Sequence, residues 1–473
     1  MATLKQPVTR INAHPAKRFF VEMLTRDIEL EDAILDLLDN CVDGAVRVNA
    51  LKAQPHANAT PYAGFRADIT LKDESFTIVD NCGGIPRDVA LDYAFRFGRP
   101  RADIDAHLQT VGVYGIGMKR ALFKLGRDTR IVSRHADGSF AVHVDKKWLT
   151  TDDWELNMDI ADSTALPAAG VQIVVTDLHP AIASLFNSTA SGFVDTLVGK
   201  IRNHYAYIIQ KGFEVRVNGK PVQPNLIQTL FEQPSRKSRA AIAPYIYETK
   251  HEGVDVSLVM GMYAGFPTES ELDDLYEGKR SKETAGWTVI CNDRVVLSHD
   301  TTHRTGWGEA GVPSYHSQFV MLSGVVEFTS NDASKLPVTT TKRGVNLDSP
   351  LYAAVKDMMR DALKHFTTFT YQWKAASEER SSIQSKAMAV DIREAAASVP
   401  TQSWQTVRKN LQGRRFVPEL PKPLSVRTHA RMTFERELRS IEAVRDYMEI
   451  GESSKPSEVG AAAFDWVLGQ AKP

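Results

Sequence analysis

ELEDAILDLLDNCVDGAVR, residues 29–47, reads as an amphipathic helix. At 3.6 residues per turn, Leu30, Ile34, Leu37, Leu38, Cys41 and Ala45 share one face. Asp36, Asn40 and Asp43 fall within roughly 60° of each other on the opposite face. A carboxamide oxygen in that stripe is a suitable hard ligand for Mg²⁺. A carboxylate one turn away is placed to orient or deprotonate a water. The solvated face of any amphipathic helix presents a similar stripe, so taken alone the segment leaves both readings open.

Two more segments downstream carry chemistry. In TIVDNCGGIPRD, residues 77–88, a β-rich run ends in Asp80 and a glycine turn. An aspartate at a strand end can accept a hydrogen bond from an exocyclic amine, and Gly84 lets a flat ring approach the backbone. A plain strand-to-loop turn has the same appearance. In VGVYGIGMKRALFKLG, residues 111–126, Gly112, Gly115 and Gly117 precede a helix carrying Lys119, Arg120 and Lys124. Helix N-termini expose N–H groups that favour phosphate. The spacing fits neither a Walker A loop nor a dinucleotide-binding fingerprint.

Taken together, in order and spacing, the three segments resemble the ATP-site motifs of the GHKL superfamily, which includes gyrase B, MutL, the heat-shock chaperone ATPases, histidine kinases and MORC proteins. Asp36-Leu-Leu-Asp-Asn40-Cys-Val-Asp43 is similar to the family's acidic-x-x-x-Asn-x-x-Asp helix. Asp80-Asn-Cys82-Gly-Gly84 is similar to its Asp-x-Gly-x-Gly strand end, and Gly112-Val-Tyr-Gly115-Ile-Gly117 to its lid. Gly170-Val-Gln-Ile-Val-Val-Thr176 resembles the strand that closes the site. The resemblance covers about residues 20–180. It implies ATP and Mg²⁺ as cofactors, with Asp36 as base or water-positioner, Asn40 on the metal and Asp80 on the adenine amine. Asp43, Gly84, Lys119 and Thr176 would complete the nucleotide site, with Gly112, Gly115 and Gly117 as its lid. There are two main departures, and Gly170-Val171 also lacks the usual threonine hydroxyl. The usual glutamate is the shorter Asp36, and the first glycine of the second motif is Cys82.

The resemblance also implies an α+β fold: a Bergerat-type sandwich over 1–185, a transducer-like α/β domain over 186–372 and a mainly helical region over 373–473. Leu336-Pro-Val-Thr-Thr-Thr-Lys342-Arg343-Gly resembles the loop with which the gyrase–MutL–chaperone branch sends a lysine back to the γ-phosphate. Lys342 is the candidate and Arg343 the fallback. A likeness to MORC-type bacterial ATPases is looser. In this branch, closure drives N-terminal dimerisation, and the arm at 1–20 would cross to a second subunit. His14, before Pro15, is a poor setting for a phosphoacceptor.

Bulk properties set limits on these expectations. The 473 residues are 43% hydrophobic and 24% charged, with net charge −1, so any nucleic-acid contact must be local. Residues 408–439 hold nine Lys/Arg against three Asp/Glu, a stretch suited to DNA phosphate or to an ordinary solvated helix. Three cysteines with no paired spacing fit a reducing compartment, and no apolar run approaches membrane-spanning length. The expectation is therefore a cytoplasmic ATP-driven homodimeric clamp acting on DNA or on a protein, in prokaryotic defence or genome maintenance. The alternative is a non-catalytic ATP-gated scaffold.

Overall fold

The computed structural model describes residues 16–50, 60–98, 108–112, 115–151, 153–162, 164, 166–187, 191–232, 240–266, 284–339, 341–373, 387–408, 411–423, 435–454 and 456–471. His14 and most of the basic stretch after residue 423 lie outside them. Met1–Lys422 form one compact unit and Pro423–Pro473 a second.

The first sheet is built from β1 (Arg66–Lys72), β2 (Ser75–Asp80), β3 (Gly126–His135), β4 (Gly138–Val144), β5 (Met158–Ile160), β6 (Gly170–Leu178), β7 (Glu214–Val217) and β8 (Lys220–Pro221). Their order is β5-β4-β3-β6-β2-β1-β7-β8. All pairs are antiparallel except β1 with β7, which is parallel. Strand residues alternate in burial, as a sheet with one helix-covered face requires. Ile69, Phe76, Ile78, Ile131, Ile173 and Val175 line that face, and α2 (Leu30–Ala50) lies on it through Ile34, Leu38, Cys41 and Ala45. Each fully buried Leu or Ile contributes about 1.5–3 kcal/mol of transfer free energy, so α2 is held by its apolar face.

The sequence suggests one helix over 21–48, but the chain forms two. α1 (Lys17–Arg26) ends at Asp27 and turns away to pack beside the helix Gly117–Leu125. No glycine or proline marks the break. Its fixing point is Lys17, buried, with its ammonium 3.7 Å from the Trp148 ring centroid and bonded to the Trp148 and Asp153 carbonyls. Residues 16–20, expected to reach a second subunit, therefore pack on their own domain.

The boundary expected at 185/186 also moves. Asn218-Gly219 turns β7 into β8, and β7 pairs with β1, so the first sheet extends to Pro221. Parallel β1–β7 pairing needs a long crossover, and the helices Phe193–His204 and Ala206–Gln210 supply it.

The second sheet consists of β10 (Tyr245–His251), β11 (Val254–Met262), β12 (Gly286–Cys291), β13 (Arg294–Asp300), β14 (Leu322–Ser330), β16 (Gln405–Val407) and β17 (Gly413–Phe416), ordered β13-β12-β14-β11-β10-β17-β16. β9 (Gln228–Phe231) and β15 (Met388–Asp391) pair separately. The helix Pro350–Gln372 covers one face of the second sheet through Tyr352, Val355, Met359, Leu363 and Phe366. Tyr207 and Ile392 cover the other, beside Ile246, Val259, Ile290 and Val325. Burial on both faces explains why β12 is buried at every residue. The region after 373, expected to be mainly helical, thus adds strands β15, β16 and β17 to the main unit, because these complete sheets that helices alone leave open. In the second unit the helices Leu438–Tyr447 and Pro456–Ala471 pack together, with Tyr447 set edge-on to Trp466.

Candidate active site

A cavity of about 540 Å³ opens between α2, the end of β2, the start of β6 and the helix Gly117–Leu125. The polar stripe of α2 faces it and is not a solvated surface. Asp36 and Asp43 are each 2% exposed, whereas Asn40 between them is exposed and lines the cavity. Glu31 and Asp32 in the first turn of α2 suit the positive end of its dipole.

Asp36 is fixed from two sides. Arg120 Nη2 donates to its Oδ2 at 2.5 Å. The helix beginning at Gly117 comes so close that a Cβ there would sit 3.2 Å from Asp36 Cβ and Cγ. Asp36 thus lies at the positive N-terminal end of a helix whose N–H groups are suited to phosphate. Arg120 Nε is buried and finds no partner among the described residues, while the side chain lines the cavity.

Asp43 anchors the lid. Its two oxygens accept the backbone N–H groups of Val111 (2.6 Å) and Gly112 (2.8 Å). Burial raises its pKa despite the nearby Arg47 and Lys342 charges. Lys119 Nζ donates to the Gly115 carbonyl at 2.6 Å and so braces the same lid. Val113 and Tyr114 lie outside the described residues.

Asp80 ends β2. Its Oδ1 accepts from Cys82 N (2.8 Å) and Val171 N (3.3 Å). Burial pushes its pKa up to about 6, against the lowering effect of those bonds. Gly84, expected to admit a ring, has a second reason for its identity. Its φ is +76°, and a Cβ would collide with the Arg134 carbonyl, so it lets the β2 end lie against β3. Cys82 is buried, with its thiol directed to the Arg66 carbonyl at 3.9 Å.

Thr176 does not line this cavity. Side chains alternate along β6, so Val171 and Ile173 reach the cavity. Thr176, on the opposite parity, is exposed and donates to Asp128 Oδ1 at 3.1 Å.

Lys342, 303 residues from Asp39 of α2 in sequence, lines the same cavity. Its Nζ lies 2.9 Å from Asp39 Oδ2. Arg343 turns instead to Asp32, with Nε 2.9 Å from its Oδ1, so the fallback residue is committed elsewhere. The Asp39 role is one that sequence reading missed. It is wholly buried, and Oδ1 accepts from Tyr205 OH (2.5 Å) and Arg294 Nε (2.8 Å). Burial alone would raise its pKa, but Lys342 and Arg294 hold it well below the usual carboxylate range. The only hint in sequence is that Asp39 continues the acidic stripe of α2. Its partners come from distant strands and loops.

The family model for histidine kinase-, DNA gyrase B-, and HSP90-like ATPases matches residues 28–168. Residues 28–168 are a GHKL-type ATPase domain. No curated protein matches the chain. The GHKL match spans α2, the β2 end and the lid, and the family's general activity is ATP binding and hydrolysis, usually with Mg²⁺. The donor set of this GHKL domain fits that ion. Mg²⁺ keeps several waters and takes other oxygens from phosphates, so one open carboxamide, Asn40, suffices on the protein side. Among the described residues no cluster of three or more His, Cys, Asp or Glu forms an all-protein cage. Nor, among them, is any helix long and apolar enough to cross a membrane.

Proposed function

We propose that the chain binds Mg-ATP in this cavity and hydrolyses it slowly, and that lid closure drives N-terminal dimerisation of a molecular clamp. The carrying observation is convergence: Asp36, Asn40, Asp80, Gly112, Gly115, Gly117 and Lys342 line one cavity although they span most of the main unit. Asp80 would accept the adenine amine, and Asn40 would hold Mg²⁺, which would supply charge neutralisation at the phosphates. The N-terminus of the helix Gly117–Leu125 receives the phosphates, and Asp36 orients the attacking water. Lys342 contacts the γ-phosphate and so distinguishes ATP from ADP. Phosphoryl transfer needs positioning and charge neutralisation more than covalent chemistry, and these groups supply both. The basic stretch 408–439 supports DNA as the clamped partner.

A second reading, an ATP-gated scaffold without turnover, is favoured by the Asp36–Arg120 ion pair, which occupies one oxygen of the water-orienting carboxylate. Steady-state phosphate release with Mg-ATP, wild type beside Asp36→Asn, with and without double-stranded DNA, separates the two. The clamp predicts turnover that falls at least a hundredfold in the variant and rises with DNA. Firm nucleotide binding with equal background release by both proteins establishes the scaffold.

A further inference from the structure

Asp39 is the point at which the two sheets of the main unit share a charge. One carboxylate with no exposed surface faces two full cations from the second sheet's side, Arg294 at the start of β13 and Lys342 in the loop before the helix Pro350–Gln372. The two cations are not equally held. Arg294 is 0% exposed, and its Nη1 donates to the carbonyls of Val295 (2.9 Å) and His204 (3.2 Å). Its guanidinium also lies 4.2 Å from the centroid of the Tyr205 ring. Among the described residues the Lys342 ammonium makes one such bond, to Asp39, on a flexible stem that opens on the cavity. Its backbone sits at φ +57°, a region a lysine occupies at a cost. Of the two cations on Asp39, the less firmly held is therefore the one that lines the cavity.

We infer that Asp39 is a positioning residue that parks Lys342 between nucleotides, and that Arg294 sets how readily Lys342 leaves it for a γ-phosphate. This rests on the reading of Lys342 as the γ-phosphate contact. When Lys342 moves to the polyphosphate, Arg294 and the Tyr205 hydroxyl remain on Asp39, so no buried carboxylate is left uncompensated. With ADP there is no third phosphate to draw the lysine, and it returns. Because Arg294 belongs to β13, the same carboxylate reports the nucleotide state to the second sheet.

The test is binding of Mg²⁺ with the imido analogue of ATP, and of Mg-ADP, by titration calorimetry. Asp39→Asn removes the competitor for Lys342, and the ratio of analogue to ADP affinity rises about tenfold, the scale of one charge-assisted hydrogen bond. Arg294→Gln leaves Lys342 as the sole cation on Asp39, and the ratio falls about tenfold. Both effects vanish in a Lys342→Met background, as a coupling cycle requires. If Asp39→Asn does not fold, Arg294→Gln decides alone, because a merely structural loss weakens analogue and ADP alike. Equal changes in both nucleotides, or shifts of one sign that persist without Lys342, overturn the inference. A Lys342→Met protein that keeps the wild-type ratio instead overturns the γ-phosphate reading on which it rests.

Discussion

At the scale of single residues, chemistry follows from where burial places a charge. Asp80 is the clearest case, since burial raises its pKa to about 6 while its Oδ1 is held by two backbone donors. In the reading given above, its ionised form accepts the adenine amine. As pH falls through 6 the carboxyl takes up a proton, which bound adenine must then displace. Affinity for Mg-ADP is expected to drop about tenfold per pH unit below 6, and calorimetry between pH 7.5 and 5 measures it. Asp80→Asn binds weakly throughout and lacks this acid limb; the same slope in both proteins removes Asp80 from the adenine. For the free protein the sign is reversed. The folded-state pKa lies above the unfolded one, so lowering pH from 6 toward 4 stabilises the fold. Asp36, Asn40 and Asp80 were singled out because the order and spacing of their segments resemble the GHKL motifs, and all three line the cavity. Thr176 was misplaced because resemblance located the strand but not which parity of β6 faces inward. Asp39 was not singled out because its partners Arg294 and Lys342 are contributed by folding alone.

At the scale of elements, Asn292 and Asp293 suit the β12–β13 turn, since both tolerate positive φ, observed at +47° and +64°. What it touches was not readable. Asn292 Nδ2 donates to the Thr110 carbonyl at the lid base (3.1 Å) and to the Ser330 carbonyl (3.0 Å). Its Oδ1 accepts from Ser330 N at 3.0 Å. Asp293 bonds Lys211 and Tyr62, and Arg294 bonds Asp39. Three successive residues of one turn thus meet the lid, the flank of the first sheet and α2. Asn292→Gly keeps the backbone geometry and removes only the amide, leaving buried backbone groups without partners. A loss of about 1–3 kcal/mol in denaturant-derived stability is expected. A change within about 0.5 kcal/mol, the usual range for surface positions, would mean that the turn is a contact without energetic consequence.

At the scale of the whole molecule, the α+β class with a second α/β layer after the first was legible through the family resemblance, but the boundary between the two sheets was not. A hairpin's sequence does not say which sheet it will join, and only the β1–β7 pairing decides it. The described residues that line the cavity all lie in Met1–Lys422. The second unit keeps Phe464, Trp466 and Val467 about half exposed. Apolar surface of that kind does not serve a nucleotide site, so division of labour between the units follows from their contents. A chain ending at Lys422 should therefore bind Mg-ADP with an affinity within about threefold of the full protein, a difference of roughly 0.7 kcal/mol at most, as read by calorimetry. If DNA stimulation of phosphate release depends on the basic stretch, the same truncation weakens it and flattens its salt dependence, because four of the nine Lys/Arg residues lie beyond Lys422 and their phosphate contacts would be lost. Stimulation retained in the truncated chain would move the DNA contact onto the main unit, where Arg408, Arg414 and Arg415 border the edge of the second sheet.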